Sequence, residues 1–74
     1  MENQEVKTAY QTVRSDIANL LGFFECELGK QPQTIQWPQL QTLRQVRQNL
    51  IEALSFLSGF EAGQIENTLE ESRL

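Results

Sequence analysis

Between Val6 and Leu28 the apolar residues Val6, Tyr10, Val13, Ile17, Leu20, Phe24 and Leu28 follow one another at gaps of three or four. That is the heptad rhythm of a helix with one seam turned to a partner, and it predicts a helix over about residues 5–28. With Val6, Val13 and Leu20 at heptad position d and Tyr10, Ile17 and Phe24 at a, Leu21 and Leu28 fall at e and Phe23 at g. A two-stranded coiled coil usually carries charge at e and g. Apolar flanks suit a bundle, where each helix has more than one neighbour.

The opposite side of this helix carries Ser15, Ala18, Gly22 and Cys26 at gaps of three, four and four. Small side chains let a second backbone approach, and a mid-helix glycine costs about 0.5–1 kcal/mol against alanine. The stripe reads either as a close-packing face or as a solvated surface that happens to be small.

Gly29 is placed to end the helix in a left-handed conformation, and Lys30 to meet its last carbonyls. Pro32 blocks continuation, so residues 29–37 form a connection. Ile35 and Trp37 within it are expected to fold over the end of the bundle as an apolar plug. A ligand-stacking role for Trp37 is the alternative.

Pro38 opens a second helix over about 38–59, with Trp37 before it extended. Leu43, Val46, Leu50, Ala53, Leu57 and Phe60 repeat the spacing of three and four, and Ile51, Leu54 and Phe56 widen the stripe. Beyond Gly59, Ser58 and Glu61 have the spacing of a capping box. Residues 60–70 then read as a short third helix or a frayed extension of the second, and 71–74 as a mobile end.

These elements predict an all-α fold, namely an antiparallel helical hairpin of two long helices in one domain covering residues 1–74. In that hairpin Leu20 faces Val46, Val13 faces Ala53, Tyr10 faces Phe56 and Val6 faces Phe60. One seam against another leaves Leu21, Phe23, Ile51 and Leu54 poorly covered, each worth roughly 1.5–3 kcal/mol when fully buried. A second hairpin is the simplest cover, giving a homodimeric four-helix bundle. The expected interface comprises Leu21, Phe23, Ile51, Leu54, Phe56 and Phe60; a different protein partner would meet the same face.

Composition narrows the chemistry. The chain has 74 residues, one cysteine and no histidine, which leaves no internal disulfide and no Cys/His zinc set. Its 10 acidic and 6 basic residues give a net charge of −4, a poor footprint for nucleic acid or anionic lipid. The first residues lack a signal-peptide pattern, and no apolar run is long enough for a membrane span, so a cytoplasmic protein is expected. Glu25 and Glu27 flank Cys26 with negative charge, where a reactive thiol needs positive charge nearby. Seam positions carry no carboxylate, and Gly59 and Gly63 lack the lysine of a phosphate loop. Neither an enzyme nor a cofactor is expected.

Two roles remain. The first is a small non-catalytic adaptor or regulatory protein acting through self-association and leftover apolar surface. The second is a nucleic-acid-associated regulator using Arg44 and Arg47, with Lys30 nearby.

Overall fold

The computed structural model describes residues 3–30 and 32–73. The chain is all-helical: among the described residues there are three helices and no strand, in the order α1 (Gln4–Gly29), α2 (Trp37–Ser58) and α3 (Ala62–Ser72). Its contacts divide it into two units, Met1–Gln33 and Thr34–Leu74.

The first unit is built on α1. Asn3 caps it in an extended conformation, φ −78° and ψ 129°. Its Oδ1 accepts a 2.8 Å hydrogen bond from the Glu5 amide, satisfying one of the donors that every helix start leaves free. The helix starts at Gln4, one residue ahead of the position that spacing predicts. At the other end the expectation for Gly29 is corrected. It stays helical, and the chain leaves through an extended Lys30, φ −82° and ψ 108°. Pro32 stops the helix by itself, so no left-handed residue is needed. Lys30 Nζ meets the Glu27 carboxylate at 2.8 Å rather than the terminal carbonyls.

The second unit begins where Gln36, extended at φ −121° and ψ 170°, caps α2. Its amide donates to Gln39 Oε1 at 2.8 Å. Trp37 is therefore the first helical residue, not an extended one, and Pro38 sits in the first turn. A proline is tolerated there because its absent N–H would have had no helical partner anyway.

α2 ends at Gly59, which adopts φ 82° and donates its amide to the Ser55 carbonyl at 2.9 Å. Positive φ is the region glycine enters without a Cβ penalty, so this residue decides where α2 stops and α3 turns back. Ser55 Oγ clamps the turn by donating to the Phe60 carbonyl at 2.6 Å. Ser58 Oγ donates to the Leu54 carbonyl and accepts from the Phe60 amide.

The Ser58–Glu61 capping box is thus corrected, because Ser58 is occupied in finishing α2. Glu61 caps α3 instead, its amide donating to Gln64 Oε1 at 2.9 Å. The stretch beyond Gly59 is a separate helix rather than an extension of α2, and it holds Glu71 and Ser72, which corrects the expectation of a mobile end at those two residues.

α2 and α3 pack on each other, and the two residues buried there are Ile51, 3% exposed, and Ile65, 8% exposed. Arg47, Ser55, Ala62 and Glu66 border them, each partly buried. Arg47, Ile51 and Ser55 lie four apart along one edge of α2. Ala62, Ile65 and Leu69 supply the matching spacing on α3. Burying the two isoleucines is the apolar gain that holds α3 back against α2.

Candidate interaction surface

On α1 no residue is buried. The seam residues Val6, Tyr10, Val13, Ile17, Leu20 and Leu28 are exposed, as are Leu21 and Phe23 on its flanks, Phe23 to 66%. A 26-residue helix with an uncovered apolar seam is marginal in water, since protein helices draw most of their stability from packing.

Ser15, Ala18, Gly22 and Cys26 share the other side of α1 and are exposed. A Cβ built on Gly22 meets nothing within 4 Å, and Cys26 is a free thiol.

On α2 the exposed apolar residues are Leu43, Leu50, Leu54, Phe56 and Leu57, with Val46 partly buried. Of the six residues expected at an interface, Ile51 is corrected. α3 folds back over it, so it belongs to the core of the second unit and offers no surface. Leu21, Phe23, Leu54, Phe56 and Phe60 are all exposed, Phe56 to 95%. Phe56 stands five residues from Ile51, on the side of α2 away from α3. Ile35 and Trp37 also stand open.

The basic residues are partly spoken for. Arg47 Nη1 lies 3.4 Å from Glu66 Oε1, and Lys30 is engaged with Glu27. Two of the three members of the basic patch therefore have a carboxylate partner.

Among the described residues, no group of three or more His, Cys, Asp or Glu side chains could hold a metal ion. A shallow depression of about 340 Å³ is lined by Asn3, Val6, Lys7, Tyr10 and Gln11, all from one end of α1. Another, of about 220 Å³, is lined by Phe60, Gln64, Ile65 and Thr68. Neither brings a nucleophile together with a base. Among the described residues no helix is long and apolar enough to cross a membrane.

Periodicity alone does not pick out Ile65 as the residue that covers Ile51. The signal for it was the weak spacing of Ala62, Ile65 and Leu69, three and four apart. Comparison with family models, with curated proteins and with solved structures finds no match to this chain.

Proposed function

We propose that the chain is a small non-catalytic interaction protein, an adaptor or regulatory subunit, that works as a homodimer. In this reading α1 and α2 form an antiparallel hairpin, and two hairpins close a four-helix bundle. Leu21, Phe23, Leu54, Phe56 and Phe60 are then the apolar surface left for the bundle contact and for a partner protein.

The observation that carries the proposal is the mismatch between pattern and burial. Two long seams of heptad type are present, yet Ile51 and Ile65 are the buried apolar residues of the described chain. Contiguous apolar surface on this scale is rare in monomers and marks association sites. Charge supports the antiparallel sense. In that register Arg14 on the first half of α1 would oppose Glu52, and Lys7 would lie near Glu61.

Helix content followed on heating at several protein concentrations tests the proposal. A melting temperature that rises with concentration is expected, because association stabilises by mass action. A concentration-independent midpoint would contradict it. The adaptor role predicts that a protein co-purifying with the wild-type chain is lost with Phe23→Ser or Phe56→Ser.

A further inference from the structure

We propose that two copies pair through α2, antiparallel, about a two-fold axis passing beside Leu50. This rests on the homodimer above: the seam that α2 turns to α1 also faces the second copy at the centre of the bundle.

The large apolar residues along one stripe of α2 are Leu43, Val46, Leu50, Leu54 and Leu57, all exposed except the partly buried Val46, at gaps of three, four, four and three. That order reads the same in both directions from Leu50. A two-fold interface needs this property, since each residue must meet the partner's copy of its mirror position. Leu50 meets its own copy, Val46 and Leu54 meet each other's, and so do Leu43 and Leu57. The central row Val46, Leu50 and Leu54 is an i, i+4 ridge, which two helices can interdigitate.

α3 covers the Ile51 edge, while Leu43, Leu50, Leu54 and Leu57 of this stripe stay exposed. The stripe itself carries no charge. An antiparallel pair sets the half of α2 bearing Arg44 and Arg47 against the half bearing Glu52, whereas a parallel pair stacks each arginine on its own copy. The contact is about 21 Å long at 1.5 Å per residue. That is short for a standard interface of roughly 1,200–2,000 Å², so α2 pairing forms the centre of the dimer and needs the other helices to complete it.

The test uses the full chain with Cys26→Ser as background. Leu50→Cys places a thiol beside the axis, and Gln45→Cys places one on the far, polar side of α2. Under mild oxidation the Leu50→Cys chain is expected to form a covalent dimer on the order of tenfold faster than the Gln45→Cys chain. Leu50→Glu is expected to halve the mass in solution, with helix content by circular dichroism showing whether the chain remains folded. Equal cross-linking at both positions in a protein that is still dimeric would overturn this pairing and leave the homodimer standing. A monomeric wild-type chain would overturn both.

Discussion

Arg47 and Glu66 face each other across the junction of α2 and α3, Nη1 to Oε1 at 3.4 Å, beside the buried Ile51 and Ile65. The pair and the isoleucines hold the same two helices together, but their magnitudes differ. Both charged side chains remain over 40% exposed, at 42% and 45%, where ion pairs contribute roughly 0.2–1 kcal/mol and are screened by salt. Arg47→Ala is therefore expected to lower stability by less than about 1 kcal/mol in a urea titration, with the loss shrinking at high salt.

Ile51→Ala and Ile65→Ala act on the apolar contact itself. Each is expected to cost about 2–4 kcal/mol, because truncating a buried isoleucine loses its transfer energy and leaves a cavity. Amide exchange in α3 checks the mechanism: protection of Gln64 to Thr68 should fall toward that of an isolated peptide. A loss no larger than that of Arg47→Ala would contradict the assignment of Ile51 to the core.

Glycines separate backbone strain from packing. At Gly59 a Cβ meets no atom within 4 Å, but φ is 82°, so Gly59→Ala is expected to destabilise by about 1–2 kcal/mol through backbone conformation alone. Gly22 and Gly63 lie inside helices, also with open space around a Cβ. In the single chain Gly22→Ala and Gly63→Ala are expected to stabilise by about 0.5–1 kcal/mol. If Gly22→Ala destabilises instead, a second backbone approaches that face in the assembled protein.

At the start of α1 the Asn3 cap is local and separable. Asn3→Ala is expected to cost about 1 kcal/mol of helix stability. The reading is faster amide exchange in the first turn, from Glu5 to Lys7, with the α2–α3 unit unchanged.

The helices were legible in the sequence because their signals are local. Seam spacing located α1 and α2, and Pro32, Pro38 and Gly59 marked where they stop or start. What periodicity could not supply was the choice among competing local bonds. Ser58 and Glu61 have capping-box spacing, but Ser58 bonds back to Leu54 and leaves the cap to Glu61 and Gln64. Gly29 and Gly59 look alike in sequence, yet only Gly59 takes a positive φ, because nearby Pro32 already ends α1. The burial of Ile51 escapes periodicity for a different reason. Its cover comes from α3, whose apolar spacing is short and weak, and a count limited to the two long helices leaves it bare.

Sedimentation equilibrium of the full chain at micromolar concentration is the most direct measurement of whether these seams are covered by self-association. The expected result is a mass of twice the 8.5 kDa chain, dissociating on dilution. A single species at 8.5 kDa, with α1 fully helical by residue-resolved NMR, would contradict it.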